Sequence, residues 1–259
     1  LNGYKIEECI YRERWDVCKD IEGVYFLPTH DFSMSAPKPS VVVTQGGDFS
    51  VEYHKDDFFK WHIKTQGHTN KSVSELDSSV IKWFTTNCDN LRLKCEMLPL
   101  GVVDETCIEL INSNLNNLKD KLLYCNFQLY SNKVNRTKVL QDCHKLQFCN
   151  REENLEPKAY FESMSRHKFV VCPTGNGIDS YRIWEGLYSN TIPVVQNSDF
   201  AIRLQRFFPV LIVDDYSEIT ENELDKFLEN VDWDYKERLK PTFWIDLIKL
   251  SVKENLGSL

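Results

Sequence analysis

No stretch of this 259-residue sequence comes near the ~20 apolar residues that a transmembrane helix needs. It also has no basic block. Asp+Glu number 39 against Lys+Arg 31, so the formal charge is -8 and the pI about 5.4. That balance argues against nucleic acid or an anionic membrane surface as partner. Any anion must then be held locally, by a few Arg or Lys side chains or by helix N-termini. Internal repeats and low-complexity tracts are missing too. With 42% hydrophobic and 27% charged residues, the composition is that of an ordinary globular chain, not of a disordered or collagenous one. There is no Cys-x-x-Cys and no Cys/His cluster at zinc spacing, so no metal site is expected.

What is present begins with nine cysteines, an odd number, so at least one is unpaired. Cys107, Cys125 and Cys172 stand in apolar runs, where a free thiol packs as a small hydrophobe. A reduced, cytoplasmic setting is expected, the host cytoplasm if the source is viral. The sequons Asn70-Lys71-Ser72 and Asn135-Arg136-Thr137 point instead to a Golgi lumen, reached through an anchor trimmed ahead of Leu1. Leu1 opens no signal peptide, and it is not Met, so a leader ahead of it stays open.

Short apolar runs alternate with helix-like stretches, the pattern of a parallel α/β sheet. Strands are expected at 24–27, 41–44, 92–98, 121–129, 146–149, 168–172, 191–195 and 210–213. Helices are expected at 74–86, 104–118, 136–145, 157–165, 180–189, 221–230 and 241–255. The first of these rests on apolar residues at 76, 80, 81, 83 and 84, a helical spacing. The second has Asp104 as its N-cap. The length lies between one large domain and two small ones, at ~150 residues each. The Asn-rich stretch 112–120 reads as a linker, after which the strand–helix pattern restarts. Two halves are therefore expected, 1–118 and 119–240, with a closing helix in 241–259 that packs back on the first.

The segment 169–195 carries the most chemistry. It reads as a strand (Phe169-Val170-Val171-Cys172), a loop (Pro173-Thr174-Gly175-Asn176-Gly177), a helix and a second strand (Ile192-Pro193-Val194-Val195). A glycine turn leading into a helix N-terminus offers outward N–H groups and the positive end of a dipole to an anion. Asp179 or Ser180 can cap that helix. Arg182 and Glu185 are three residues apart and share a face. A guanidinium suits a diphosphate, which it grips as a fork. A carboxylate suits the vicinal hydroxyls of a ribose. The competing reading is an Arg–Glu pair on a solvated helix face. The loop is no Walker A, since no Gly-Lys-[Ser/Thr] follows, and Gly175-x-Gly177 lacks the third glycine of a dinucleotide fingerprint. Asp232-Trp233-Asp234 is an Asp-x-Asp triplet of a kind that suits Mn²⁺ or Mg²⁺, but it stands in a polar stretch near the end of the sequence. Asp214-Asp215 follows a strand, and reads either as cleft lining or as a turn cap.

The run Cys172-Pro173-Thr174-Gly175-Asn176-Gly177-Ile178-Asp179-Ser180-Tyr181-Arg182-Ile183-Trp184-Glu185-Gly186-Leu187, followed by Ile192-Pro193-Val194-Val195, resembles the C-terminal signature of exostosin-like glycosyltransferases. That signature combines a Pro-x-Gly loop, an Asp-x-x-Arg-x-x-Glu helix start and an Ile-Pro-Val strand. Segments 41–48, 81–87 with Leu98-Pro99-Leu100-Gly101, and 122–136 are similar to further parts of the family. The resemblance spans about residues 20–220, specific at 169–195 and loose elsewhere. Asn190 departs from the usual glycine, and suits a left-handed helix C-cap. The compact length resembles viral and microbial members.

The resemblance implies a GT-B fold: α/β, with two Rossmann-like domains facing across a cleft, the first binding acceptor and the second a nucleotide sugar. It implies an inverting transfer of one sugar from a UDP-sugar (xylose, galactose or glucuronate) to a glycan or glycoprotein hydroxyl, with no cofactor. A GDP-fucose-dependent fucosyltransferase and an inactive carbohydrate- or nucleotide-binding module are the alternatives. On this reading Arg136, Thr174, Gly175, Asn176, Gly177, Ser180, Tyr181, Arg182 and Glu185 hold the donor. Arg182, Arg136 and the amides of Gly175–Gly177 would stabilise the leaving diphosphate, and Glu185 would take the ribose. Tyr181 could stack on base or sugar, while Trp184 reads as core. Inversion needs a general base from the first half. Asp48, after Gly46-Gly47 at a strand end, ranks first, then Asp31 and His30 at the neighbouring strand end. Each of these also reads as a turn former.

Overall fold

Val41, Val42 and Val43 are fully buried, and so are Phe169, Val170 and Val171. Unbroken apolar runs of this kind fit parallel strands covered on both faces. The computed structural model describes residues 5–11, 14–28, 35–45, 76–91 and 94–257. Its nine described strands form two all-parallel sheets. Strands β1 (Val24–Pro28), β2 (Ser40–Gln45), β3 (Val80–Thr85) and β4 (Cys95–Met97) pair in that order. Strands β5 (Lys121–Cys125), β6 (Cys149–Arg151), β7 (His167–Val171), β8 (Ile192–Gln196) and β9 (Leu211–Val213) make a second sheet in the order β6-β5-β7-β8-β9. The helices are α1 (Glu105–Asn114), α2 (Lys133–Cys143), α3 (Pro157–Ser165), α4 (Tyr181–Tyr188), α5 (Asp199–Gln205), α6 (Glu221–Glu229) and α7 (Pro241–Leu256). None of them is long and apolar enough to cross a membrane.

One expected helix is a strand. Residues 80–85 form β3, between β2 and β4. Val80, Trp83 and Phe84 are buried on its two faces, so the apolar positions mimic helical spacing. The β-branched and aromatic content of the run favours the extended form. Inside the sheet Trp83 Nε1 donates to Thr44 Oγ1 at 2.9 Å, and Thr44 Oγ1 to Thr85 Oγ1 at 2.8 Å. Helix α5 was not foreseen in the sequence. Ser198 caps it, accepting the Ala201 N–H at 3.1 Å.

The Asn-rich stretch is tied down on both sides. Asn112 accepts the Ile6 N–H at 2.8 Å and donates to the Ile6 carbonyl at 3.1 Å. Asn117 donates to Ser165 Oγ at 2.8 Å. Lys119 Nζ donates to Ser165 O (3.0 Å), His167 O (2.8 Å) and Thr191 Oγ1 (2.8 Å). One apolar cluster draws on both sheets, joining Val42, Trp83 and Met97 to Trp184, Phe208 and Trp244. A second, with Leu123, Cys125, Phe169 and Val194, fills the other side of the second sheet. Helix α7 lies against β2 and β3. Its Val252 sits close enough to Gly23 that a Cβ there would come within 2.8 Å of Val252 Cγ1.

The second sheet positions the site. Its first strand, β5, lies inside the sheet, with β6 on one side and β7 on the other. The winding therefore reverses between β5 and β7. In open α/β sheets ligands bind beyond the carboxyl ends of the strands at such a reversal.

Candidate functional site

A cleft of about 650 Å³ opens at that reversal. Asn126, Gln128, Tyr130, Ser131 and Arg136 line it after β5, and residues 175–177 line it after β7. Leu100, Val103 and Cys107 of the first half face them, and the start of α4 contributes Ser180, Tyr181, Arg182 and Glu185.

The glycine loop is shaped by what lies beneath it. The Gly175 N–H donates to Gly177 O at 3.0 Å, which closes a tight turn. That amide is thus already used, contrary to the expected role of the loop amides as a uniform row of donors. A Cβ on Gly175 would come 2.9 Å from Arg136 Nη2, and one on Gly177 would come 2.5 Å from Asn87 Oδ1. Arg136 is 6% exposed. Its Nε donates to Thr174 O at 3.1 Å and its Nη1 to Gln128 O at 2.6 Å. It therefore staples the two loops of the reversal point, leaving Nη2 beside Gly175. Burial, then the nearby Arg182 charge, lowers its pKa to about 10.

Arg182 and Glu185 are no solvated ion pair. Glu185 is 9% exposed, and its Oε2 accepts the Tyr160 hydroxyl at 2.6 Å. The Arg182 guanidinium stands over the Tyr160 ring, 5.7 Å from its centroid. Arg182 Nε and Ser180 Oγ are buried with no partner among the described residues. Burial pushes the Glu185 carboxyl above its ordinary range, against the pull of Arg182 and the Tyr160 bond.

The capping expectation is corrected. Ser180 occupies the N-cap of α4 but makes no capping bond. Asp179 turns away from the helix start, accepting Trp184 Nε1 at 2.7 Å and the Leu100 N–H at 2.9 Å. Its own N–H donates to Asn87 Oδ1 at 2.9 Å. Asp179 thus ties the donor loop to the first half. Burial raises its pKa to about 7, opposed by the two N–H donors. The Ile183 N–H donates to Ser180 O at 3.0 Å, so the first turn of α4 is closed by backbone and not by a side chain.

Of the nine donor candidates, eight line the cleft; Thr174 does not, and contributes its carbonyl to Arg136. Trp184 is fully buried in the core. Asp48, Asp31 and His30 lie outside the described residues. Asp232 accepts the Asp234 N–H at 2.9 Å in an exposed turn. Asp214 accepts Asn197 Nδ2 at 2.7 Å, while Asp215 caps the 3-10 turn Tyr216–Glu218 and pairs with Lys138. Sequence reasoning missed Tyr160, Asn126 and Asn87. Asn87 had one local signal: it follows a strand and takes a left-handed φ of 53°, which Asn tolerates.

The cysteine reading also needs a correction. The Sγ atoms of Cys125, Cys143 and Cys149 lie within 4.8 Å of one another, a set able to hold a metal ion. Their sequence spacing hides this. Cys125 and Cys149 share a face of β5 and β6, and Cys143 ends the helix covering it. The three sit in the apolar core with Leu123 and Val139, not in the cleft.

No family model matches the chain, and no curated protein matches it either.

Proposed function

We propose that the chain is an inverting GT-B-type glycosyltransferase that moves one sugar from a UDP-sugar to a glycan hydroxyl. The observation that carries this reading is the Arg182–Tyr160–Glu185 set, with Glu185 buried and the other two half-buried, lining a cleft at the sheet's reversal point. A volume of about 650 Å³ is within the range of small-molecule sites. The chemistry asked of the site is differential: the donor's diphosphate gains negative charge as the sugar leaves. Arg182, whose Nε has no partner among the described residues, is a fixed donor for that charge, and the positive end of the α4 dipole adds to it. Arg136 contributes its remaining Nη2 and, chiefly, the shape of the loops. Glu185 spends one oxygen on Tyr160, and its other oxygen suits a ribose hydroxyl.

In this reading the acceptor enters from the side of Leu100, Val103 and Cys107. The general base is one of Asp48, Asp31 and His30, in that order. The test is transfer itself. Purified chain is incubated with UDP-xylose, UDP-galactose or UDP-glucuronate and a mixed glycan pool, and UDP release and glycan mass are followed. Arg182→Ala and Glu185→Ala are expected to abolish transfer. Full turnover in both variants would remove the assignment. Asp48→Asn is expected to keep UDP binding and lose transfer.

A further inference from the structure

Two further cysteines, Cys88 and Cys95, stand side by side outside the cleft. Cys88 Sγ lies 3.0 Å from Cys95 Sγ, about 1 Å beyond the ~2.05 Å of a disulfide. Both are buried, at 0% and 4% exposure. The chain brings them together because β3 and β4 are parallel neighbours, and Cys95 opens β4 just as the turn after β3 folds back. Their surroundings are unequal. Arg203 Nη2 stands 3.6 Å from Cys95 Sγ and donates to Asn90 O at 2.7 Å. Arg203 is itself 4% exposed and pairs with Glu96 at 3.4 Å. The Cys88 S–H, with the Arg203 charge, holds the Cys95 thiol below its ordinary range, whereas burial pushes Cys88 up. The Cys95 S–H donates to Asn90 O at 3.2 Å, an acceptor it shares with Arg203, so loss of that proton leaves the sulfur beside the guanidinium.

We propose that Cys88 and Cys95 form a reversible redox pair, with Cys95 as the reacting thiolate and Cys88 as the resolving thiol, and that its closure alters the loop at Gly177. The oxidant is a small peroxide, of a size suited to so buried a sulfur. The Cys95 thiolate attacks one peroxide oxygen, the O–O bond breaks, and Cys95 becomes a sulfenic acid as water forms. Cys88 then attacks that sulfur, the S–O bond breaks, and a second water leaves. The two thiols lose two electrons and two protons; one hydrogen peroxide becomes two waters. The link to the cleft is one residue long. Asn87 precedes Cys88, accepts the Asp179 N–H, and fills the space where Gly177 lacks a Cβ. Drawing the two sulfurs together by about 1 Å pulls on that side chain.

The test uses the whole chain, without nucleotide, so it stands apart from the reading of the cleft. Reduced protein is given one equivalent of hydrogen peroxide, then denatured, alkylated, digested and mapped by mass. The expected product is a Cys88–Cys95 linked peptide that appears before oxidation of the other cysteines and is reversed by dithiothreitol. Amide exchange at 177–179 is expected to differ between the reduced and linked forms. In Cys88→Ser, Cys95 is expected to accumulate sulfenic acid and then sulfinic acid, for want of a resolving thiol. Full alkylation of both cysteines, sulfinic acid at Cys95 of the wild type, or another pair linking first would each overturn the redox pair. Unchanged exchange at 177–179 would overturn its connection to the loop.

Discussion

The Tyr160 hydroxyl donates to Glu185 Oε2 at 2.6 Å, joining α3 to α4 at the floor of the cleft. The bond orients a buried carboxylate, and it fixes the ring over which Arg182 stands. Tyr160→Phe keeps the ring and removes the donor. UDP affinity is expected to fall about tenfold, or ~1.4 kcal/mol, with the fold retained. Calorimetric titration of the variant measures this, and an unchanged affinity would show that Tyr160 does not position Glu185.

The two loop glycines are expected to differ in their tolerance of a methyl group. At Gly175 the obstacle is the far end of Arg136; at Gly177 it is Asn87 Oδ1, which also holds Asp179. Gly177→Ala is expected to cost about 1–3 kcal/mol, and Gly175→Ala less. Combining Gly177→Ala with Asn87→Ala removes the clash, so the double variant should cost less than the sum of the two singles. Urea unfolding of the four proteins gives the coupling. Strict additivity would mean that Gly177 and Asn87 do not share space.

Strands β7 and β8 were legible in the sequence because each holds a buried run of Val, Ile or Phe beside a clear helical stretch. The expected helix 157–165 and the observed α3 coincide. The run 80–85 was not legible: a strand apolar on both faces has no period-2 signal. Arg182, Glu185 and the glycines could be singled out because they sit in one short segment. Tyr160 could not, since only the packing of α3 beside β7 brings it to Glu185. Arg136 was singled out, but as a phosphate ligand; its bonds to two loop carbonyls depend on how β5 and β7 pair.

A pH effect is expected from His167, which is fully buried. Its Nδ1 lies 2.7 Å from Ser163 O, a carbonyl that can only accept, so Nδ1 carries the proton. Nε2 has no partner among the described residues. Burial lowers the pKa from 6.5 to about 4, with Lys121 and Lys119 acting in the same direction against Ser163 O and Glu152. Between these values the unfolded chain binds the proton and the folded one does not. The contribution is therefore complete above pH ~6.5 and is lost as pH falls toward 4, amounting to about 3 kcal/mol. In His167→Gln that part of the pH dependence should vanish. Urea unfolding at pH 4.5 and 7 compares the two, and equal slopes would rule His167 out as the source.

Arg136 tests shape against charge. Arg136→Lys keeps the cation but cannot bond both Thr174 O and Gln128 O through a planar fork. The variant is expected to lose about 2 kcal/mol of stability, with weaker UDP binding as the loops separate. Wild-type stability in Arg136→Lys would show that positive charge, not the staple, is what the position requires.

On the proposed reading, the cleft floor binds a nucleoside diphosphate through Arg182 and Glu185. Isothermal titration of UDP into the wild-type chain, Arg182→Ala and Glu185→Ala tests it most directly, since it needs neither acceptor nor sugar. Saturable binding at a single site is expected in the wild type, with at least about tenfold weaker binding in each variant. Absence of binding by UDP and GDP alike, or equal affinity in all three proteins, would contradict it.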